Sequence, residues 1–502
     1  MSIGKSILSL LMWISTTSYG QLSVDKIFTD NMVLQRDQPI QIWGKGFPGR
    51  NIVVTTLGNN KTTIVSSDSL WSLVLEEQRA NTKPQSVRVT SANESIEIKN
   101  VLIGDVWLCI GQSNMQWPME REMHFKSELQ NANQSLIRFY NPSYAGENIF
   151  RQPFPDSVIN RLNTANFYNG SWQRCDSNSI KTMSAVGYYF GKSILEKVQV
   201  PIGLIDLAIG GAPIETFINK ETLAKHPAFA SKVKANWLKN DSLPVWIRER
   251  GNQNVGGNPD VPRDEVGANH PYKPGFVFAR GIQPLFTFPI KGIVWYQGES
   301  NAQEMERVKE YTNLTKLMVD DYRKGWGQSQ LPFYWVQLSS IDTMKYKGHF
   351  WPLFRDEQRK MIALIENGGM AVCSDIGAKD DVHPRNKKDV GERLARWALK
   401  QTYHQNVVPS GPLPINAIYA NGKVTISFQF SSGGLFTSGG KPLMGFSIDG
   451  KTDVAAKIEN GTVIIDAPDR PAFVYYGWKP FSDGNLVNAE GLPASTFAIQ
   501  VH

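Results

Sequence analysis

The sequence predicts an α/β protein in which a central α/β domain lies between two smaller β modules. Residues 101–408 alternate β-branched strand segments with amphipathic helical segments, a pattern typical of a parallel sheet. Residues 21–100 and 409–502 instead contain short β-branched and aromatic runs between Gly, Pro and Asn turns. The length of 502 residues allows about three domains of ordinary size.

In the central domain the periodicity predicts strands, helices and two long insertions. The strands are predicted at residues 106–110, 203–209, 290–296, 333–338 and 370–376. The helices are predicted at residues 185–198, 305–324, 353–366 and 386–403. The insertions cover residues 117–182 and 219–280. The second contains a polar, Gly- and Pro-rich stretch typical of an active-site loop, and we expect its His270 to be solvated.

The two flanking regions are predicted to be sandwich-like β modules. In the first, strands are predicted at residues 40–43, 52–56, 71–75 and 87–90. In the second, they are predicted at residues 423–428, 462–465 and 472–476.

Residues 1–20 have the pattern of a cleavable export signal. Lys5 precedes a short apolar run at residues 7–14, and small or polar residues follow before Gln21. We therefore expect a secreted or periplasmic protein.

Composition excludes several classes of protein and partner. Hydrophobic residues make up 41% and charged residues 20%, which is typical of a globular chain, and no apolar run after residue 20 is long enough to span a membrane. The net charge of +7 is scattered, so no nucleic-acid partner is predicted. With three cysteines the fold cannot depend on a disulfide framework. No metal-binding spacing is present, no cofactor is predicted, and the oligomeric state is left open.

Four unusual segments follow predicted strands of the central domain. They are 111–114 (GQSN), 210–211 (GG), 297–301 (QGESN) and 380–384 (DDVHP). Because ligands bind at the carboxyl edge of a parallel sheet, these loops predict a site there.

The residue types in these segments suit acyl transfer by a serine. Such a reaction needs a nucleophile, a base, a group that orients the base, and donors for the oxyanion. Ser113 is predicted on a strand-to-helix turn, and His383 precedes a predicted helix. The absence of a GxSxG segment argues against the nucleophile elbow of α/β-hydrolases.

Together the blocks at residues 111–115, 210–211, 295–301 and 381–384 resemble those of the SGNH hydrolases, specifically the sialate O-acetylesterase family. Residues 32–36, Trp43 and residues 491–494 also resemble that family's flanking regions. The resemblance implies a flavodoxin-like three-layer core between β-sandwich-like modules, with an O-acetylated carbohydrate as substrate.

The resemblance also implies roles for individual residues. Ser113 would be the nucleophile and His383 the general base, and the backbone amides of Ser113 and Gly211 would hold the oxyanion. The third block departs from the family's usual Gly, any residue, Asn, Asp pattern, so Gln297 and Asn301 are both candidates for an additional side-chain donor.

The group that orients His383 is left open between two neighbouring acids. Asp380 has the spacing common among SGNH enzymes, whereas Asp381 fits an Asp, any residue, His, Pro pattern and is favoured. A backbone carbonyl is a third possibility.

Three further residues are expected at the substrate or around the nucleophile: Gln112, Glu299 and Trp117. A buried structural role for Glu299 is an equal alternative. A metal site formed by the acids near His383 is a minor alternative, because no second histidine is close in sequence.

The sequence therefore predicts a serine esterase that removes O-acetyl groups from carbohydrate, with sialic acid as the named substrate of the family. An alternative is an acetylesterase acting on xylan or pectin. An alternative of another class is a carbohydrate-binding protein without catalysis, which predicts that Ser113 or His383 lies out of place.

Overall fold

The structure is a computed structural model that describes residues 21–56 and 59–502. The export signal predicted at residues 1–20 lies outside the described residues. Cys109, Cys175 and Cys373 are all buried and free. Within the described ranges, no helix combines the length and the apolar character that crossing a bilayer requires.

The first region is built from short strands. They are β1 (Ser23–Val24), β2 (Val33–Gln35), β3 (Ile40–Lys45), β4 (Asn51–Thr56), β5 (Asn59–Ile64), β6 (Leu70–Leu75) and β7 (Asn81–Ser91). Strand β6 shows the reason for this structure, since its residues alternate between exposed and buried as a half-buried strand requires.

The middle of the chain supplies the next strands. They are β8 (Glu94–Gly111), β9 (Gln134–Tyr140), β10 (Ser143–Tyr144), β11 (Tyr168–Asn169), β12 (Trp172–Cys175), β13 (Ile202–Asp206), β14 (Arg263–Asp264), β15 (Gly267–Ala268), β16 (Gly292–Tyr296), β17 (Phe333–Val336) and β18 (Gly368–Ala371). The main sheet runs β12-β9-β13-β8-β16-β17-β18. Every neighbouring pair in this order is parallel except β12 and β9.

Strand β8 connects the first region to the main sheet. Its first half pairs with β7 and β2, and its second half pairs with β13 and β16. The predicted boundary between residues 100 and 101 lies inside this strand, where Asn100 has a φ of 57°.

The described helices are α1 (Ser113–Gln116), α2 (Phe125–Glu128), α3 (Asp156–Ile159), α4 (Ala185–Val198), α5 (Lys220–Lys225), α6 (Val245–Val255), α7 (Met305–Gly325), α8 (Trp351–Leu364) and α9 (Lys388–Gln401). The four helices predicted from periodicity correspond to α4, α7, α8 and α9, and each predicted end lies within two residues of the observed one.

Helices pack on both faces of the main sheet. Trp107 of β8 meets Phe190 of α4 edge to face at 4.9 Å. Trp295 of β16 donates from Nε1 to the hydroxyl of Tyr311 in α7 at 3.1 Å. Trp295 is in register with Ile110, three residues after Trp107, and successive side chains of a strand point to opposite faces. Helices α4 and α7 therefore lie on opposite faces.

The C-terminal region has its own hydrophobic core. Its strands are β19 (Leu413–Ala420), β20 (Lys423–Gln429), β21 (Leu435–Thr437), β22 (Phe446–Ser447), β23 (Ala456–Glu459), β24 (Thr462–Asp466), β25 (Phe473–Tyr476), β26 (Leu486–Asn488) and β27 (Phe497–Gln500). The buried Arg355 of α8 joins this region to the central sheet by donating to the carbonyl oxygens of Gly477, at 2.9 Å, and Lys479.

Candidate active site

A cavity of about 650 Å³ opens beside the carboxyl ends of β8 and β13. Its lining includes Ser113, Gly210 and His383, three residues that come from three of the four sequence blocks. Trp117 and Asp206 also line it. The site therefore forms at the sheet edge that the sequence predicts.

Ser113 begins helix α1 directly after β8. Gly111 has a φ of 136°, and a Cβ there would lie 2.1 Å from the carbonyl oxygen of Tyr296, so only glycine allows β8 to end against β16 in this way. The resulting turn places Ser113 Oγ 2.8 Å from His383 Nε2. The hydroxyl and the imidazole are thus within hydrogen-bond distance although 270 residues separate them.

His383 is held by its own loop and by an aromatic neighbour. Its backbone N–H donates to Asp381 Oδ1 at 2.8 Å, and its Nδ1 lies 3.4 Å from the same oxygen. The Trp117 ring stacks on the imidazole with centroids 5.2 Å apart. Burial lowers the pKa of His383, as does the charge of Lys387, while Asp381 acts in the opposite direction. The imidazole is therefore biased towards the neutral form that accepts a proton.

The two neighbouring aspartates have different partners. Asp380 is 68% exposed and accepts from Lys345 Nζ at 3.1 Å, which lowers the pKa of its carboxyl. Asp381 is 52% exposed and lies at His383. Of the two acids considered from the sequence, the structure brings Asp381 to the imidazole and leaves Asp380 at a surface lysine.

Hydrogen bonds hold the peptide groups on either side of the Gly210 Cα. The Tyr272 hydroxyl donates to the Gly210 carbonyl at 2.7 Å, and the Gly210 N–H donates to Gln116 Oε1 at 2.9 Å. Since a trans peptide points its C=O and N–H in opposite directions, Tyr272 also sets the direction of the Gly211 N–H. Gly211 has a φ of 75°, and a Cβ there would lie 2.5 Å from the Tyr272 hydroxyl.

Two backbone donors next to the reactive pair are free within the described residues. The N–H groups of Ser113 and Gly211 take no part in the hydrogen bonds of the described chain. A Cβ added at Gly210 would lie 3.9 Å from Ser113 Cβ, so the glycine loop and the serine are in contact range. Free amides beside a serine and a histidine suit an oxyanion.

The side-chain amides of Gln297 and Asn301 do not face this cavity. Gln297 Nε2 donates to Gln112 Oε1 at 3.2 Å, to the Ala212 carbonyl at 3.2 Å and to Asn301 Oδ1 at 2.8 Å. Asn301 Nδ2 donates to Glu215 Oε2 at 3.0 Å. Both residues are fully buried. The expectation that one of them faces the oxyanion is not met in the structure, because their donors bind interior acceptors.

Gln112 and Glu299 are also interior residues rather than parts of the cavity wall. Gln112 Oε1 accepts from the backbone N–H of Ser300 at 3.2 Å, which ties the first block to the third. Glu299 Oε1 accepts from Asn114 Nδ2 at 2.5 Å. Of the three residues expected near the substrate, Trp117 is the one that lines the cavity.

A buried polar chain lies beneath the reactive pair. Asn114 receives a hydrogen bond from Lys387 Nζ at 2.5 Å, and its own amide donates to Glu299 and, at 3.0 Å, to the carbonyl of Val382 next to His383. Burial raises the pKa of Glu299 to about 7 and lowers the pKa of Lys387 to about 7. We call Asn114, Glu299 and Lys387 the buried triad.

Sequence reasoning missed several residues of the site. Lys387 carries no motif signal, because a lysine near a helix start is usually solvated. Tyr272 lies in an insertion with no strand to align it. Asp206 ends β13 and lines the cavity, and burial raises the pKa of its carboxyl to about 7. Asp206 ends the strand that precedes the two glycines of the second block, and this position is its signal in the sequence. No sequence pattern singles out Tyr272.

Over residues 21–56 and 59–502, no group of three or more His, Cys, Asp or Glu side chains is arranged to hold a metal ion.

The chain is similar to known carbohydrate esterases. Residues 277–400 match the family model described as carbohydrate esterase, sialic acid-specific acetylesterase. This segment contains the third and fourth blocks with Glu299 and His383, whereas Ser113 precedes it.

Relatives and solved structures extend the match over most of the chain. Sialate O-acetylesterases of Pongo abelii and Homo sapiens are each 29% identical over 440 residues, which cover 81% of this chain and 76% of each relative. A crystal structure of a carbohydrate acetylesterase from Xanthomonas citri is 29% identical, covers 95% of this chain and 99% of its own, and superposes with a TM-score of 0.77. The chain has the mixed α/β fold of that acetylesterase. In sequence the chain is similar to sialate O-acetylesterases, as its four sequence blocks predict, and in structure it is similar to a carbohydrate acetylesterase.

Proposed function

We propose that this protein is a carboxylic ester hydrolase that removes O-acetyl groups from sialic acids, with Ser113 as nucleophile and His383 as general base. The family model and the names of the relatives support the reaction and the substrate. One observation carries the residue assignment: the 2.8 Å contact between Ser113 Oγ and His383 Nε2 at the wall of a cavity.

In the first half of the reaction, Ser113 Oγ attacks the acetyl carbonyl carbon while His383 Nε2 takes the hydroxyl proton. The carbonyl oxygen becomes an oxyanion, which the N–H groups of Ser113 and Gly211 stabilise. His383 then gives the proton to the sugar oxygen as its bond to the acetyl carbon breaks. The products are the sugar alcohol and an acetylated Ser113.

In the second half, a water molecule takes the place of the sugar. His383 removes a proton from this water as its oxygen attacks the acetyl carbon, and a second oxyanion forms at the same amides. The bond to Ser113 Oγ breaks, His383 returns the proton to the serine, and acetate leaves.

Two alternatives are less well supported. A binding protein without catalysis predicts that Ser113 and His383 lie apart, whereas their side chains are 2.8 Å apart. An esterase of xylan or pectin has the same chemistry, but the family description and the curated relatives name sialate.

The nucleophile is tested with a chromogenic acetate ester. We expect the wild type to hydrolyse it and Ser113→Ala to lose that activity, because no other hydroxyl contacts His383 Nε2 in the described chain. Ser127→Ala is the matched control, since Ser127 is exposed and its hydroxyl donates to the carbonyl of His124. Equal turnover by wild type and Ser113→Ala would remove the assignment.

The substrate is tested by measuring acetate release from O-acetylated sialosides, acetylated xylan and acetylated pectin at matched acetyl concentrations. The sialosides are expected to have the highest kcat/KM. Equal values for all three would leave an acetylesterase without the sialate preference.

We further propose a flavodoxin-like, three-layer SGNH core at residues 101–408 between β-sandwich-like modules at residues 21–100 and 409–502. Five adjacent parallel strands, β13-β8-β16-β17-β18, support this core, because in chain order these five run 2-1-3-4-5, and the parallel strand β9 extends the sheet beyond β13. Residues 1–20 are proposed as an export signal. A mature protein starting at Gln21, detected by mass spectrometry of the exported fraction, is the expected result; a retained N-terminus contradicts it.

A further inference from the structure

An arginine next to the cavity is buried between two aromatic rings. Arg250 of α6 is 9% exposed. Its guanidinium carbon lies 5.3 Å from the ring centroid of Phe150 and 5.1 Å from that of Trp246. Contacts of this kind fix the plane of a guanidinium while leaving its edge donors for a ligand.

Arg250 has no acceptor of its own. Its Nε and Nη1 atoms are buried without a hydrogen-bond partner, and it forms no ion pair with the described residues. Arg248, on the same helix, instead donates from Nη1 to Asp241 at 2.8 Å. A buried charge without an acceptor is unfavourable, so an anion placed at Arg250 would be stabilised there.

The neighbours of Arg250 add no negative charge. Burial and the charge of Arg250 lower the pKa of His270 to about 3, so this buried imidazole is neutral. Tyr272 keeps its proton, because burial raises its pKa and its hydroxyl donates to the Gly210 carbonyl. Burial lowers the pKa of Arg250, and the nearby positive charge of Arg151 lowers it further.

The position of Arg250 links it to the site of acyl transfer. Phe150, on which it stacks, lines the same cavity as Ser113 and His383. Trp246, its other aromatic neighbour, donates from Nε1 to Ser300 Oγ at 3.1 Å, and Ser300 donates to the Gly211 carbonyl at 2.9 Å. An anion at Arg250 would therefore lie beside the glycine loop.

We propose that Arg250 forms a carboxylate-binding subsite beside the cavity, so that the substrate is a sugar carrying a carboxylate rather than a neutral acetylated sugar. The inference rests on the proposed function and specifies its substrate. In a 9-O-acetylated sialic acid the ester and the carboxylate lie at opposite ends of the sugar, so the subsite requires the ester to lie at Ser113 and the carboxylate to lie on the Phe150 side of the cavity, at Arg250. The paired N–H groups of a guanidinium match the two oxygens of a carboxylate.

The test measures binding, which does not depend on turnover. N-acetylneuraminic acid and its carboxylate methyl ester are titrated by calorimetry into the Ser113→Ala protein, alone and combined with Arg250→Gln, Arg250→Lys or Arg248→Gln. We expect the acid to bind about 10- to 100-fold more tightly than the ester when Arg250 is present. Arg250→Gln should remove this difference, Arg250→Lys should keep part of it, and Arg248→Gln should keep all of it.

The opposite results are equally clear. Equal affinities for acid and ester in the Ser113→Ala protein, or a difference that persists in Arg250→Gln, would overturn the subsite. Arg121 also lines the cavity, so Arg121→Gln is combined with Ser113→Ala as a further variant, and loss of the difference in this variant but not in Arg250→Gln would also overturn the subsite. Thermal unfolding shows whether each variant is folded. Failure of the proposed function would appear separately, as a wild type inactive on acetate esters.

Discussion

The site has an outer side and an inner side that differ in exposure and in bonding. On the outer side, Ser113 and His383 face the cavity and bond chiefly to each other and to the loop of Asp381. On the inner side, Asn114 of the buried triad makes three hydrogen bonds, to Glu299, Lys387 and the carbonyl of Val382.

The two sides therefore have different roles: the outer side suits the reaction, and the inner side positions the reactive residues. A nucleophile and a base need access to the substrate and few competing hydrogen bonds. A serine and a histidine that bond mainly to each other at a cavity therefore suit the reaction. The triad is buried and away from the cavity wall, although Glu299 Oε2 has no hydrogen-bond partner among the described residues, and its hydrogen bonds fix the loops that carry the reactive atoms. We therefore expect changes on the outer side to alter turnover and changes on the inner side to alter stability.

The largest expected effect is that of His383→Ala. Removing the base should lower kcat/KM for a chromogenic acetate ester by about 10⁴-fold, because Ser113 loses its proton acceptor. The wild-type profile should also fall at acid pH with a midpoint below 6.5, since protonation of His383 abolishes the base and its pKa lies below that ordinary value.

His349→Ala provides the control, because His349 is exposed and lies outside the cavity. Similar losses in both variants would contradict the base assignment. An acid limb centred well above 6.5 would contradict the predicted environment of His383.

The next largest effect concerns the inner side, in Glu299→Gln. The pKa of Glu299 is about 7 in the fold and near 4.5 in the unfolded chain, so between these values the folded chain holds a proton that the unfolded chain has released. Raising the pH through this window should cost the wild type about 3 kcal/mol of unfolding free energy. Lys387 is protonated in both states over most of this window and adds little slope.

Urea unfolding of wild type and Glu299→Gln from pH 4.5 to 8 measures this effect. The variant should gain stability relative to the wild type as the pH rises. Glu306→Gln, on the exposed face of α7, is the control and should show no such trend. Parallel curves for wild type and Glu299→Gln would contradict a buried, protonated Glu299.

Tyr272→Phe tests a group that belongs to both sides, since it is buried but fixes an amide at the cavity. Losing the hydroxyl frees the Gly210 carbonyl and with it the direction of the Gly211 N–H. We expect kcat to fall about 10-fold with KM nearly unchanged, because the oxyanion forms only during reaction.

Tyr419→Phe is the matched control, because that hydroxyl also donates to a backbone carbonyl, of Pro468 at 3.0 Å, but in the C-terminal region. A change in KM without a change in kcat would contradict the role of Tyr272 at the oxyanion.

The outer side is also the side that sequence patterns predict best. Ser113 and His383 follow strand segments with clear periodicity, and their loops carry unusual residue pairs, so topology alone brings them to one edge. Gln112, Gln297 and Asn301 come from the same loops, but the sequence does not tell which way a loop side chain points. The structure directs all three into the interior.

The fold shows the same limit. Helices with a clear 3.6-residue period were predicted within two residues, whereas β9 and β12 were not predicted within the insertion at residues 117–182. β9 carries Arg138 buried in its middle, which obscures its apolar pattern. His270 was expected to be solvated but is buried against Phe154 at 5.3 Å, because long-range packing decides its exposure.

The smallest expected effect distinguishes the two neighbouring acids of the outer side. Asp381→Asn removes the charge 3.4 Å from His383 Nδ1 but keeps an oxygen for the backbone N–H. Because Asp381 is half exposed and an exposed ion pair contributes little energy, we expect kcat/KM to fall only about 5-fold. Because Asp381 raises the pKa of His383, the acid limb should also move to lower pH. Asp380→Asn should change neither quantity, because its carboxylate pairs with Lys345. The same pH–rate profiles decide between the two acids. If Asp380→Asn had the larger effect, Asp380 would be the orienting acid, as the spacing common among SGNH enzymes indicates.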